Sequence, residues 1–269
     1  MENITSYKSV LTIAGSDSGG CAGIQADIKS ISACGAFAAS VITATTAQNT
    51  KGVIDIHAIP IAHIALQLDA VLSDISFGAI KIGMLHSAEV IQIVEEKLVE
   101  YNAKHIVLDP VMVATSGDAL ITDGAIARLK AFLPKATLIT PNIPEAEILL
   151  SKKISTNTLS KAAKEIGKLY SVSVLLKGGH VSTTNNHVQD ILYIVEDDTI
   201  VTITNPKIKT DHTHGTGCSL SSSIAAFLSL GESLESAVIK GCNYVNTAIF
   251  NGSNKQLGEG RGPINHFNL

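Results

Sequence analysis

Short runs of aliphatic and β-branched residues alternate with helical stretches along almost the whole 269-residue chain, and no other feature restricts the fold so tightly. Strands read at Val10–Ala14, Ser40–Thr46, Ala79–Ile82, Ile106–Leu108, Thr137–Thr140 and Val172–Leu176. Between them the apolar period becomes helical, at Ile24–Cys34, Pro60–Asp74, Ala88–Tyr101, Gly124–Leu133, a short helix from Pro144, and Leu159–Tyr170. The last is the cleanest, with Leu159, Ala162, Ala163, Ile166, Leu169 and Tyr170 on the helical repeat. Val188–Val195 and Thr199–Thr204 pair as a hairpin through Asp197-Asp198, and two helices, Ser219–Leu230 and Ser233–Phe250, follow. Strands without a polar face, each followed by a helix, predict an α/β fold: a mostly parallel sheet covered by helices on both faces. Only 16% of residues are charged, against about a quarter in an ordinary domain, as two buried sheet faces require. The polar stretch Ser151–Thr158 reads as a surface loop rather than a linker, so residues 1–269 are expected to form a single domain.

Twenty basic against 24 acidic residues leave a net charge of −4, which argues against a nucleic-acid or membrane-surface partner. No apolar run approaches membrane-spanning length, and the first residues lack the cationic start and long apolar core of a secretory signal. Cys21, Cys34, Cys218 and Cys242 form no CxxC pair and read as reduced thiols of a cytoplasmic protein.

In a parallel sheet ligands gather beyond the carboxyl ends of the strands, so strand-end residues carry the functional reading. The strongest signal is His212-Thr213-His214-Gly215-Thr216-Gly217-Cys218, which runs into a helix. Two glycines at a helix mouth leave backbone N–H groups free to converge on an anion, most often phosphate. The same field would stabilise a thiolate at Cys218. A zinc reading of His212, His214 and Cys218 lacks a fourth ligand.

The first strand ends in Gly15-Ser16-Asp17-Ser18-Gly19-Gly20-Cys21-Ala22-Gly23, either a ligand loop or a plain tight turn. It matches neither the Walker A nor the dinucleotide pattern, which disfavours a nicotinamide-dependent oxidoreductase. Asp27 either pairs with a ligand group or favours the helix dipole. Gln48, after the second strand, offers a donor and an acceptor suited to an aminopyrimidine edge, or is a polar loop residue. Asp109 and Glu145 are oxygen ligands able to hold Mg²⁺ beside substrate phosphates, although Asn142 and Glu145 also have the spacing of a capping box. Lys177, at a strand end before Gly178-Gly179-His180, is placed to neutralise phosphate.

In this order the motifs resemble the ribokinase-like superfamily, and within it the hydroxymethylpyrimidine/phosphomethylpyrimidine kinases of thiamine biosynthesis. The resemblance is carried by Leu11–Asp17, Ala22–Asp27, Thr46–Thr50, Lys81–Leu85, Asp109–Met112, Thr140–Asn142 with Glu145, Lys177–His180 and His214–Cys218. It implies a three-layer sandwich, a homodimer, and two successive transfers from Mg²⁺-bound ATP, first to 4-amino-5-hydroxymethyl-2-methylpyrimidine and then to its monophosphate. It also implies residue roles. Gln48 reads the pyrimidine, with Gly15, Asp27 and Met84 lining the same pocket. Gly215, Thr216, Gly217 and Cys218 form the anion hole, Asp109 and Glu145 hold the metal, and Lys177 meets the nucleotide phosphates. Sugar kinases of the superfamily usually carry Asp where Cys218 stands, which makes Cys218 the expected base of the first transfer. Cys21 replaces a common glycine, and the resemblance therefore leaves the first loop less free to adopt positive φ. A pyridoxal kinase and a non-catalytic vitamin-binding protein of the same fold are the alternatives.

Overall fold

A computed structural model describes residues 5–112, 123–179 and 186–267. Among the described residues nine strands form one sheet in the order β3-β2-β1-β4-β5-β6-β7-β8-β9. The strands are β1 (Ser9–Asp17), β2 (Phe37–Asn49), β3 (Gly52–Ala58), β4 (Ala79–Ile82), β5 (Ile106–Leu108), β6 (Leu138–Ile139), β7 (Ser173–Leu176), β8 (His187–Ile194) and β9 (Thr199–Pro206). The run from β2 through β7 is parallel, and β3, β8 and β9 are antiparallel additions at the two edges.

Successive side chains of the central strands point to opposite faces, and both faces are apolar. Leu11 and Ile13, Ile80 and Ile82, Ile106 and Leu108, and Val174 and Leu176 enter one core. The helices α2 (Ile61–Leu72), α3 (Ala88–Glu100), α4 (Asp123–Phe132), α5 (Ile143–Leu150) and α6 (Leu159–Tyr170) close it. Val10, Ala79, Val107 and Leu175, the alternate residues of the same strands, enter a second core with α1 (Gly23–Ala33), α7 (Thr216–Ser229) and α8 (Leu234–Gly252). This is the three-layer arrangement expected from the alternation.

Three differences from the sequence reading bear on function. First, β2 runs on past Thr46, so Gln48 lies within a strand, after a bulge at Ala47/Gln48, and pairs with Val53 of β3. No strand was expected at Gly52–Ala58. Every residue of β3 is exposed, so neither face supplies the apolar alternation that marks a half-buried strand. Second, α7 begins at Thr216 rather than Ser219, which places Gly217 and Cys218 in its first turn. Packing of Leu220, Ile224 and Ala225 into the second core outweighs the poor helix propensity of the opening residues. Third, Gly15–Asp17 belong to β1, and the turn is confined to residues 18–22. Positive φ falls on Gly20 within the turn and on Gly23 just after it, not on Cys21, so the cysteine meets no left-handed backbone there.

Candidate active site

The carboxyl ends of β1, β2, β4, β5 and β7 face the start of α7, and the predicted residues gather there with one exception. Gly215 caps α7 with φ +82°, and a Cβ on it would sit 1.9 Å from the Cys21 carbonyl oxygen. Glycine is therefore required both for the left-handed backbone and for the close approach to the β1–α1 turn. That turn is itself organised by Asp17, whose carboxylate accepts the N–H groups of Gly19, Cys21 and Ala22 at 2.8, 3.0 and 2.8 Å.

One end of the site is ionic. Lys177 Nζ lies 2.8 Å from Asp109 Oδ1, which also accepts the Thr140 hydroxyl at 3.0 Å. A Cβ on Gly217 would lie 3.3 Å from Asp109 Oδ2 and 3.5 Å from Lys177 Nζ, so these groups face the first turn of α7 directly. Burial works against the Lys177 charge, but Asp109 and Glu145 outweigh it and hold the ammonium above its ordinary pKa. Glu145 completes the capping box of α5: its Oε2 accepts Asn142 N–H at 2.8 Å, and Asn142 Oδ1 accepts Glu145 N–H at 2.9 Å. Burial, aided by Asp109 and opposed by Lys177, pushes Glu145 up to about 7. The capping role is complete, and it leaves the carboxyl beside Asp109. His180, the last residue of the lysine motif, lies outside the described residues.

The other end is neutral. Gly15 packs on Met84, with Met84 Cε 3.0 Å from where a Cβ would stand. Gln48 Oε1 accepts the Thr46 hydroxyl at 3.0 Å, and its Nε2 meets His214 Nε2 at 3.0 Å. His212 instead accepts Gly262 N–H on Nδ1 at 3.2 Å, so the two histidines serve different partners.

Between the two ends lies Cys218. Burial pushes its thiol up to about 11; Lys81 pulls it down, Asp27 and Asp109 push it further up, and Gly23 N–H hydrogen-bonds the sulfur. The helix N-terminus was expected to favour a thiolate. Burial and the two carboxylates act in the opposite direction and raise the thiol pKa.

Asp27 is the exception. It is wholly buried and lies beneath the site, accepting Lys81 Nζ on Oδ1 and Oδ2 at 2.8 and 2.7 Å, Thr12 Oγ1 at 2.6 Å and Ser222 Oγ at 2.8 Å. As placed it presents no surface to a ligand. Lys81 is a participant absent from the sequence-derived site residues, although a lysine inside the buried strand Ala79–Ile82 requires an anion close by.

The chain matches the family model for phosphomethylpyrimidine kinase over residues 17–265. The chain belongs to that family. It is 44% identical to the hydroxymethylpyrimidine/phosphomethylpyrimidine kinase of Haemophilus influenzae over 98% of each chain. It is also 47% identical to a thiamine biosynthesis bifunctional protein of Geobacter sulfurreducens, spanning 96% of this chain but only 52% of that protein. A crystal structure of phosphomethylpyrimidine kinase from Clostridium difficile superposes with TM-score 0.78 at 41% identity, covering 90% of this chain and 99% of that one. A Bacillus subtilis pyridoxal kinase, solved as an ADP complex, gives TM-score 0.88 at 30% identity over 97% and 98%. The chain is therefore a kinase of the thiamine pathway, on the ribokinase-like fold. Among the described residues no helix is long and apolar enough to cross a membrane.

Proposed function

We propose that the site moves the γ-phosphoryl group of ATP to the hydroxymethyl oxygen of 4-amino-5-hydroxymethyl-2-methylpyrimidine, and a second one to the resulting monophosphate. The observation that carries this reading is that one helix mouth, Gly215–Cys218, is shared by the ion pair Lys177 and Asp109, with Glu145 beside them, and, through His214, by the amide of Gln48. Phosphoryl transfer demands mostly positioning and charge neutralisation, and those are the two things this arrangement supplies.

Gln48 meets the aminopyrimidine edge, and Gly15 and Met84 pack on its ring. Backbone N–H groups of Gly215, Thr216, Gly217 and Cys218 receive the charge that develops on the transferring phosphoryl oxygens. Lys177 neutralises the nucleotide phosphates. Asp27 acts from below, holding Lys81 beneath the first turn of α7 rather than touching substrate. Two carboxylates, Asp109 and Glu145, fit Mg²⁺, which is commonly held by one or two carboxylates together with substrate phosphates. Bound there, the ion would neutralise phosphate charge and offset the burial and the Asp109 charge that raise Glu145.

Cys218 takes the proton of the attacking hydroxyl in the first transfer, as that oxygen bonds to phosphorus and ADP departs. A thiol held near 11 is a strong base but is scarce as thiolate at neutral pH, so this step accelerates as pH rises. In the second transfer the acceptor is a phosphate oxygen that is already anionic, and no base is needed.

Residues 1–269 are read as one kinase domain working in the cytoplasm, in keeping with four free cysteines. The exposed face of β3, with Val53, Ile54 and Ile56 exposed to 45%, 78% and 45%, is the surface a homodimer would cover. The similarity to pyridoxal kinases favours pyridoxal as a second acceptor. The test is product analysis by mass spectrometry with Mg²⁺, ATP and equal hydroxymethylpyrimidine and pyridoxal. Pyrimidine monophosphate followed by pyrophosphate is expected. Pyridoxal phosphate alone would overturn the substrate assignment.

A further inference from the structure

Gln48 can discriminate between ligands only if its amide is held one way round, because its two ends offer opposite hydrogen-bonding chemistry. Thr46 alone does not hold it. The Thr46 hydroxyl has one proton and two acceptors within reach, Ser16 O at 3.2 Å and Gln48 Oε1 at 3.0 Å. Turned end for end, Gln48 would donate to that hydroxyl while the hydroxyl donated to Ser16. Both arrangements satisfy Thr46. The other end of the amide meets His214 Nε2 at 3.0 Å, so the tautomer of that ring breaks the tie: an acceptor there selects Gln48 Nε2, and a donor would select Oε1. With Nε2 at the contact, as the structure places it, the matching ring nitrogen is an acceptor.

His214 is well placed to impose this. Its backbone N–H donates to Gly262 O at 3.2 Å, it bridges Pro263 in parallel, and the next residue is the sterically locked Gly215, so the ring is carried on a fixed backbone. Asp17 Oδ2 stands 3.8 Å from His214 Nε2, but that oxygen already receives the N–H groups of Cys21 and Ala22. Burial holds the imidazole below its ordinary pKa, Asp17 opposes this and Arg261 adds to it, which favours the neutral ring.

We propose that His214, as the neutral tautomer protonated on Nδ1, is a positioning residue that fixes the Gln48 amide and thereby sets the preference of the site for an aminopyrimidine. The inference rests on the reading of Gln48 given above. With Oε1 turned to Thr46 and Nε2 turned to His214, the amide keeps one further N–H and one further lone pair, a donor and an acceptor side by side. They match a ring nitrogen beside an exocyclic amino group. The reversed amide would set donor against donor and acceptor against acceptor.

Two measurements on the full-length protein test this. Long-range ¹H–¹⁵N NMR of the histidine-labelled chain reports which ring nitrogen carries the proton, and Nδ1 is expected. Protonation of Nε2 in an active kinase would overturn the role of His214 while leaving the function intact. In steady-state kinetics His214→Leu should raise KM for hydroxymethylpyrimidine about 10- to 100-fold, the worth of two hydrogen bonds. KM for ATP should stay within about twofold, and the preference over pyridoxal should fall by a similar factor. His214→Gln, which can again present an acceptor, should recover most of the loss. Equal losses toward both acceptors with a raised KM for ATP would show a merely structural role and overturn the proposal. A wild-type protein that phosphorylates no pyrimidine would overturn the specificity claim together with the function it rests on, whatever the tautomer.

Discussion

Replacing Lys81 with methionine isolates the energetics of the charge pair beneath the site. Met has nearly the length of Lys without its ammonium, so packing in β4 is retained and the change is electrostatic. What remains is Asp27, without exposed surface, keeping Thr12 and Ser222 but losing the ammonium 2.7 and 2.8 Å from its two oxygens. Removing one partner of a buried pair costs about 3–5 kcal/mol, because the survivor can be neither solvated nor matched. At about 2–4 °C per kcal/mol for a domain of this order of size, that is a fall in Tm of about 6–20 °C. The pair itself contributes little beyond a hydrophobic equivalent, so Asp27→Leu combined with Lys81→Met should be less damaging than the two single changes summed, by about 2 kcal/mol or more. Urea denaturation of the four proteins, with calorimetry alongside, closes the cycle. A Lys81→Met protein within about 1 kcal/mol of wild type, or strictly additive effects, would refute the argument. The same change removes the main group that lowers the Cys218 pKa, so alkylation of Cys218 should slow in Lys81→Met.

Gly215→Ala forces a side chain at φ +82° into the Cys21 carbonyl, and should cut kcat about 100-fold or more while circular dichroism stays native; near-wild-type turnover would remove the helix mouth from the mechanism. Glu145 keeps its proton up to about 7 in the folded state, so its contribution to stability is full below its ordinary value of 4.5 and is lost as pH rises through 7. Between pH 5 and 8 wild type should lose at most about 3 kcal/mol from this group, and Glu145→Gln should flatten that slope in urea titrations. An unchanged slope in the variant would assign the loss elsewhere. Cys218→Ser should slow the first transfer and spare the second in single-turnover assays, with only the first rising with pH in wild type; equal slowing of both, or of neither, would sink the base assignment.

The capping box at Asn142 and Glu145 and the glycines at the mouth of α7 were legible because their partners lie within a few residues or on the same turn. Gln48 was legible as the reader of the pyrimidine through the resemblance, but its contact with His214, 166 residues away, was not. Asp27 was given a place in the pocket by the resemblance, while the residue alone left a ligand partner and the helix dipole as alternatives. Its partners come from β1, β4 and α7, three separate stretches of chain. The edge strand β3 escaped because an exposed strand need not alternate.

What the sequence by itself determined is the layered fold. Apolar runs on period two and helical stripes on period 3.6 are local properties, and burying all of them at once leaves few arrangements other than helices on both faces of a parallel sheet. What only tertiary structure decided is the charge state and orientation of the working groups. Cys218 sits at a helix N-terminus that favours a thiolate, yet burial and the carboxylates of Asp27 and Asp109 hold the proton on. A pKa answers to every charge and every missing water around the group, and those are assembled by contacts between residues far apart in the chain.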